Sequence, residues 1–93
     1  MDYKITNYTK ERAKQMGVIV KPSGNKDKKI DVFNKDGEKL ASVGAKGMLD
    51  YPSYIRERGL EYAKKRRALY KERHEKDRHQ KGTAGWYADK LLW

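Results

Sequence analysis

The sequence predicts a small α+β domain. In this domain a short helix precedes a three-stranded antiparallel sheet, made of one strand and a β-hairpin, and two or three C-terminal helices cover the sheet. Strand patterns are confined to the first half of the chain, and none recurs after residue 50. The length of 93 residues corresponds to one domain. We therefore expect a single domain over 1–93, with a helix and sheet in 1–47 and a basic helical half in 50–93.

The first helix is predicted over Thr9–Met16. Thr9 is a suitable N-cap, and Gly17 suits the C-terminal end because glycine tolerates the left-handed conformation found there. The β-branched run of residues 18–20 is typical of a strand. We expect this strand to end before the turn cluster of residues 21–24, since proline is rarely found inside a strand.

Residues 29–43 predict a β-hairpin. Ile30 and Val32 point to one face of the first strand and Asp31 to the other, and an Asp-Gly turn at 36–37 leads into a second strand over 40–43. The pattern leaves the register beyond the turn open, because Leu40 and its neighbour are both apolar.

The second half of the chain predicts helices. Asp50 is a suitable N-cap, Pro52 suits a first helical turn, and Gly59 is expected to bend or divide the helix that follows. Apolar and long side chains at helical spacing predict one inward-facing stripe, composed of Tyr54, Ile55, Arg58, Tyr62, Arg66, Leu69, Tyr70 and Arg73. The apolar residues 86–93 are expected to dock on the hairpin or on the long helix.

The composition narrows the class of function. The chain has 23 Lys and Arg against 13 Asp and Glu, a net charge of +10, which predicts attraction to polyanions, nucleic acid first. The absence of cysteine excludes disulfides, thiolate catalysis and cysteine-based zinc sites. The longest apolar runs, at 18–20 and 91–93, fall far below the roughly 20 residues of a membrane span, and no secretory signal is visible. We expect an intracellular or particle-internal protein.

The candidate nucleic-acid-binding residues belong to a basic helix predicted within residues 62–81. Six of its cations lie off the apolar stripe: Lys64, Lys65, Arg67, Lys71, Arg78 and Lys81. Contact with phosphate needs only a cation, so this row predicts affinity for nucleic acid with little sequence specificity. Phosphate contact does not distinguish DNA from RNA, and we expect DNA ahead of RNA as the partner. The alternative is a solvated face with helical ion pairs, Arg73 with Asp77 or Glu72 with Lys76.

The tyrosines allow two interpretations. Arg58, Arg66 and Arg73 share the stripe with tyrosines, so they either grip nucleic acid or pack as ordinary amphipathic side chains. We favour packing, because so small a core needs its aromatic residues. Exposure of the rings of Tyr3 and Tyr8 would instead favour binding to single strands.

No enzyme, metal or cofactor is predicted. His74 and His79 are five residues apart, which separates them by about 140 degrees on a helix and prevents a shared metal ion. The acidic residues near them alternate with lysine and arginine along one exposed run, so no catalytic group with a defined geometry can be assembled. The glycines match no phosphate-binding motif, and the chain lacks the broad apolar face that binding to a membrane surface requires.

The second half of the chain and the hairpin of residues 30–45 together resemble a family of short, basic, uncharacterised proteins of large DNA viruses of algae and amoebae. The segments that carry the resemblance are Asp50-Tyr51-Pro52, Tyr62-Ala63, Arg66-Arg67 with Tyr70, Lys81-Gly82, and Gly85 to Lys90 with Trp93. The resemblance covers nearly the whole chain and supplies no catalytic residues. It implies a viral protein located in the virion, the host-cell virus factory or the nucleus, with a role in genome handling or particle structure.

These observations lead to two expectations. The first is a non-catalytic nucleic-acid-binding protein, for example in viral genome packaging or as an accessory factor. The alternative is a virion structural or protein-interaction module whose cations meet an acidic protein surface. The sequence does not determine the oligomeric state.

Overall fold

A computed structural model of the protein describes residues 4–93, and Tyr3 therefore lies outside the described residues. Three strands, β1 (Ile19–Pro22), β2 (Lys28–Phe33) and β3 (Lys39–Ala45), form one antiparallel sheet in the order β1-β2-β3. Four helices accompany the sheet: α1 (Asn7–Met16), α2 (Tyr51–Arg58), α3 (Leu60–Arg73) and α4 (Ala84–Leu91). The predicted α+β fold class is confirmed.

Helix α1 begins earlier than predicted. Its N-cap is Thr6, whose side chain accepts a hydrogen bond from the backbone N–H of Thr9. The prediction that Thr9 caps the helix is wrong, because Thr9 lies inside α1. Its side chain is fully buried, and its hydroxyl donates to the carbonyl oxygen of Leu91 at 2.7 Å. The C-terminal end is as predicted, with Gly17 in the left-handed conformation.

Strand β1 continues through the residues that were expected to end it. Lys21 pairs with Asp31, and Pro22, the last residue of the strand, pairs with Ile30. Because β1 lies at the edge of the sheet, the missing N–H of proline need not interrupt a ladder there. The strand therefore ends at Pro22 rather than before it.

The hairpin of β2 and β3 is confirmed. Its turn is held by Asn34, whose side-chain oxygen accepts hydrogen bonds from the backbone N–H groups of Asp36 and Glu38. The register that the sequence left open is set by an irregularity after Val32: Val32 pairs with Ala41, whereas Phe33 pairs with Lys39. Leu40 thus has no partner in the ladder.

The core lies between the sheet and helices α1 and α4. Ile30, Val32 and Val43 contribute the buried face of the hairpin, and Leu91 and Leu92 pack against them. The C-terminal segment docks on the sheet as predicted, and it also reaches α3, since the ring of Trp93 stacks on that of Tyr70. Within residues 4–93, no helix is both long and apolar enough to cross a lipid bilayer.

The helical half differs from the prediction in one important respect. Asp50 caps α2 through its side chain, and Gly59, at φ 90°, separates α2 from α3, both as expected. The basic helix, however, ends at Arg73, and residues 74–83 form turns. The chain has to reverse here so that the apolar α4 can return to the core.

Candidate nucleic-acid interface

Helix α3 presents most of its surface to solvent. Of its 14 residues only Ala63 is buried, whereas a helix with a wide apolar face buries several residues against the core. It is held to the domain by packing against α2 and by the stacked pair of Tyr70 and Trp93, whose centroids are 4.3 Å apart. The helix therefore offers a long exposed surface on which cations can be displayed.

Lys64 and Lys65 lie on this exposed surface. Neither forms an ion pair among residues 4–93. Their side chains leave the helix axis about 100 degrees apart, and those of Glu61 and Glu72 leave it at angles between these two. The two ammonium groups therefore flank the outer side of α3, and each is available to a phosphate.

Arg67 lies on the same side of α3 as Lys64, one turn further along. Its guanidinium carbon is 4.3 Å from the centroid of the Tyr51 ring, and the residue is half-buried. An arginine in this position keeps its charge and hydrogen-bond donors while its flat face packs on the aromatic ring. Arg67 is thus both a packing residue and a possible phosphate contact.

Lys71 and Arg78 turn inward toward one buried carboxylate. The Nζ atom of Lys71 lies 2.7 Å from Oδ1 of Asp89, and a guanidinium nitrogen of Arg78 lies 3.9 Å from the same oxygen. Asp89 is 2% exposed, and a buried carboxylate requires such partners because it has lost its water. Arg78 also bonds Glu75 at 2.7 Å. The structure thus assigns an internal role to two of the six predicted residues.

Lys81 is exposed but is not on a helix. It lies in the turns between α3 and α4, as Arg78 does, so the prediction that both belong to the basic helix is wrong. The ion pairs that the alternative interpretation expected, Arg73 with Asp77 and Glu72 with Lys76, do not form within the described part of the chain. Lys81 extends the basic surface beyond the end of α3.

The predicted inward-facing stripe divides into two. Arg66 and Tyr70 face the domain, and the guanidinium of Arg66 lies 5.4 Å from the ring centroid of Tyr54. Tyr62 and Leu69, by contrast, are 37% and 48% exposed. With Lys65 and Arg73 they form an outer stripe on α3, because positions i, i+3, i+7 and i+11 share one side of a helix. We call Tyr62, Lys65, Leu69 and Arg73 the outer stripe below.

The prediction that Arg58, Arg66 and Arg73 pack on tyrosine rings is confirmed for Arg58 and Arg66 and not for Arg73. Arg58 lies over Tyr62 at 4.9 Å, in addition to the pairs of Arg66 and Arg67 with Tyr54 and Tyr51. Arg73 has no such ring partner among residues 4–93 and is exposed. The ring of Tyr8 packs edge-on against that of Tyr51 and its hydroxyl donates to the carbonyl of Trp93, so this ring belongs to the packing.

A second basic cluster escaped the sequence analysis. Lys4, Lys10 and Arg56 line a shallow depression of about 250 Å³ beside the start of α1. Lys4 and Lys10 belong to the N-terminal segment, whereas Arg56 comes from α2, about 46 residues further along the chain. No local pattern joins Arg56 to the other two, so only the tertiary structure reveals the cluster.

Other charges are used inside the protein. Lys29 pairs with Asp50 at 3.2 Å, and both side chains are almost completely buried. Burial lowers the pKa of Lys29 below its ordinary value, and the adjacent carboxylate of Asp50 opposes this shift. A lysine enclosed in this way serves the fold and is not available to a ligand.

The two histidines have different partners. His79 contacts Glu75 at 2.9 Å, whereas the ring of His74 lies against that of Tyr70. Hydrogen bonds from His79 and Arg78 lower the pKa of the exposed Glu75. Within residues 4–93, no group of three or more His, Cys, Asp or Glu side chains is arranged to hold a metal ion.

Comparison of the chain with protein-family models, curated proteins and solved structures finds no match. The functional argument therefore depends on the charge and geometry of the described residues. Three of the six predicted residues are exposed cations that form no ion pair among residues 4–93: Lys64, Lys65 and Lys81. Arg67 is half-buried, and Lys71 and Arg78 lie beside the buried carboxylate of Asp89.

Proposed function

We propose that this protein binds nucleic acid without catalysing a reaction. Its lysine and arginine side chains contact phosphate with little sequence specificity, and DNA is favoured over RNA. The observation that supports this most directly is the exposure of Lys64 and Lys65 on a helix that buries only Ala63, in a chain of net charge +10. Exposed cations on such a surface attract the phosphate backbone and steer its approach.

The dimensions of α3 are compatible with contact along a nucleic-acid backbone. Its 14 residues give a length of about 21 Å at a rise of about 1.5 Å per residue. One strand of a duplex carries a phosphate about every 3.4 Å along the helix axis, so about six phosphates fit along α3. Contacts of this kind position a protein on nucleic acid and carry no sequence information.

The biological setting follows from the resemblance to the viral family. We propose a role in viral genome packaging, or as an accessory of genome handling, in the virion, the virus factory or the nucleus of an infected cell. A protein that neutralises phosphate without reading bases suits packaging, because that task must succeed on every part of a genome.

The proposal is tested by fluorescence anisotropy with labelled duplex DNA, single-stranded DNA and RNA over about 50 to 300 mM salt. If Lys64, Lys65, Arg67 and Lys81 each displace one counterion, the slope of log affinity on log salt for duplex DNA is about −4. Absence of binding at the lowest salt concentration would refute the proposal. Tighter binding to RNA than to DNA would overturn the assignment of DNA as the preferred partner.

One observation favours a second function, a structural or protein-interaction module that meets an acidic protein surface. Tyr62 and Leu69 are 37% and 48% exposed on one side of α3, beside Lys65. An interface of apolar contacts ringed by cations suits an acidic protein partner. A competition experiment distinguishes the two functions. Nucleic acid displaces an acidic protein from α3 only if the nucleic acid itself binds to α3.

A further inference from the structure

A groove of about 340 Å³ opens between strand β3, the C-terminal end of α3 and the start of α4. This volume falls within the range of about 300 to 1,000 Å³ that is typical of small-molecule sites. Its interior is mainly apolar, with Val43, Ala88 and Leu92 among the lining residues. Met48, another lining residue, is 54% exposed. The groove therefore offers an apolar surface that no described part of the chain covers.

One wall of the groove is aromatic. The rings of His74 and Tyr70 have centroids 4.4 Å apart, and the rings of Tyr70 and Trp93 are 4.3 Å apart and almost parallel. All three residues line the groove. Burial raises the pKa of Tyr70, as do the charges of Asp89 and Asp77, so the phenol stays neutral at physiological pH. Tyr70 is enclosed between His74 and Trp93, so a planar ring system can stack on the outer face of one of these two end rings.

The charged residues of the groove are all basic. Lys28, Lys29 and Arg73 line it, and its described lining includes no Asp or Glu. Lys29 is paired with Asp50, whereas Lys28 and Arg73 form no ion pair within residues 4–93. The groove is therefore complementary to a ligand that combines an aromatic ring with a negative charge, and not to a cation.

The groove is continuous with the surface proposed to bind phosphate. Arg73 is both the last residue of the outer stripe and a lining residue of the groove. Lys65 precedes it by eight residues, a distance of about 12 Å along the helix axis. A strand that follows the outer stripe from Lys65 thus arrives at the groove.

From these observations we infer that the groove receives an unpaired nucleotide of the bound nucleic acid. Its base lies against the wall of His74, Tyr70 and Trp93, and its phosphate is placed near Arg73 and Lys28. This inference rests on the proposed function and makes it more specific. The protein then prefers nucleic acid that has a single-stranded end or gap over a continuous duplex of equal length.

The test compares three labelled DNA ligands that share one duplex: a blunt duplex, the same duplex with a short single-stranded overhang, and the same duplex with an overhang of abasic nucleotides. The two overhangs carry equal charge, so only the bases distinguish them. We expect the overhang with bases to bind about tenfold more tightly than the abasic one, since each stacked base contributes appreciably to affinity.

Two variants connect this preference to the groove. Ala84→Trp introduces a bulky ring at an exposed lining position, and Ala68→Trp places the same ring on the outer side of α3, away from the groove. Ala84→Trp is expected to reduce the tenfold preference to less than about twofold and to leave affinity for the blunt duplex unchanged. Ala68→Trp retains the preference. If Ala84→Trp does not fold, Ala45→Trp, at another exposed lining position, replaces it.

The outcomes separate the inference from the function on which it rests. Equal affinity for the overhang with bases and the abasic overhang, with the blunt duplex still bound, overturns the inference and retains the proposed function. A preference that survives in both Ala84→Trp and Ala45→Trp also overturns it, because the base then binds elsewhere. Failure to bind any of the three ligands overturns the proposed function and the inference together.

Discussion

Two regions of this small protein use the same residue types for different purposes. Around the buried carboxylates of Asp50 and Asp89, cations are turned inward: Lys29 is enclosed with Asp50, and Lys71 and Arg78 lie beside Asp89. On the exposed side of α3, Lys64 and Lys65 face solvent without an acidic partner among the described residues. The first set stabilises the fold, and the second set is available to a ligand.

The difference shows that net charge alone does not locate a binding surface. A buried carboxylate recruits cations because its desolvation must be compensated, whatever their position in the sequence. Cations without such a partner remain on the surface and determine its potential. The distribution of buried acids, rather than the density of basic residues, therefore decides which lysines can bind phosphate.

The largest expected effect arises from breaking a buried pair. Asp50→Ala leaves the ammonium of Lys29 buried without this carboxylate and removes the N-cap of α2. We expect the free energy of unfolding to fall by about 3 to 5 kcal/mol, measured by urea denaturation. The exposed pair of Arg56 and Glu57 provides the control, since Glu57→Ala should change stability by less than about 0.5 kcal/mol. Similar losses in the two variants would refute the contrast between buried and exposed pairs.

A matched pair of leucines tests the same contrast in apolar packing. Leu91 is fully buried in the core, whereas Leu69 is 48% exposed on α3. Leu91→Ala should lower the free energy of unfolding by about 2 to 5 kcal/mol because it leaves a cavity. Leu69→Ala should lower it by less than about 1 kcal/mol, since half of that side chain is already in water. Thermal denaturation of both variants measures the difference, and a large loss in Leu69→Ala would mean that α3 is packed more extensively than the structure shows.

Asp89→Asn releases the inward-facing ammonium of Lys71. The neutral side chain no longer compensates Lys71, so stability should fall by about 1 to 3 kcal/mol. Lys71 then becomes available to phosphate, whereas Arg78 stays bonded to Glu75, so the salt slope for duplex DNA should steepen by about 1. Anisotropy titrations at several salt concentrations measure this change. A slope equal to that of the wild type would contradict the assignment of Lys71 to Asp89.

The smallest predicted effect is a dependence of stability on pH through Asp31. Burial raises the pKa of Asp31, but hydrogen bonds from Ser23, Ser42 and the backbone N–H of Gly24, together with the charge of Lys39, outweigh burial and bring the pKa below its ordinary 3.8. Because the folded-state pKa is depressed, the stabilisation is present above the ordinary pKa and is lost as the pH falls through the folded-state value. The stability difference between wild type and Asp31→Asn should therefore shrink as the pH is lowered from about 7 to about 3, as urea denaturation would show. A constant difference would contradict the assigned cause.

Local features of the fold could be predicted from the sequence, because the signals lie within a few residues of their effects. The Asp-Gly turn of the hairpin, the cap at Asp50, the helix end at Gly17 and the division at Gly59 are of this kind. Thr9 was misassigned as a cap because the contact that buries it is with Leu91, 82 residues away.

The candidate site was predictable only in part. The spacing of Lys64 and Lys65 places them off the packed side of a helix, and the structure agrees. The pairing of Lys71 and Arg78 with Asp89 depends on how α4 docks, which no local pattern encodes. The outer stripe was misread for a similar reason. Tyr62, Leu69 and Tyr70 have the same helical spacing as a core stripe, and only the position of α2 and Trp93 decides which of them face inward.

The most direct test of the central claim compares two charge reversals of equal size. Lys64→Glu with Lys65→Glu changes α3, whereas Lys26→Glu with Lys35→Glu changes exposed lysines in the two loops that flank β2. Each double variant reduces the net charge by four, from +10 to +6. Arg67 is retained because it packs on Tyr51.

Binding of both double variants to duplex DNA is measured by anisotropy over about 50 to 300 mM salt. If α3 carries the phosphate contacts, its variant loses more than about tenfold in affinity at the lowest salt and about 2 units of salt slope, and the loop variant stays within about threefold of the wild type. Equal losses in the two variants would contradict the claim, because the protein would then respond to its total charge and not to the lysines of α3.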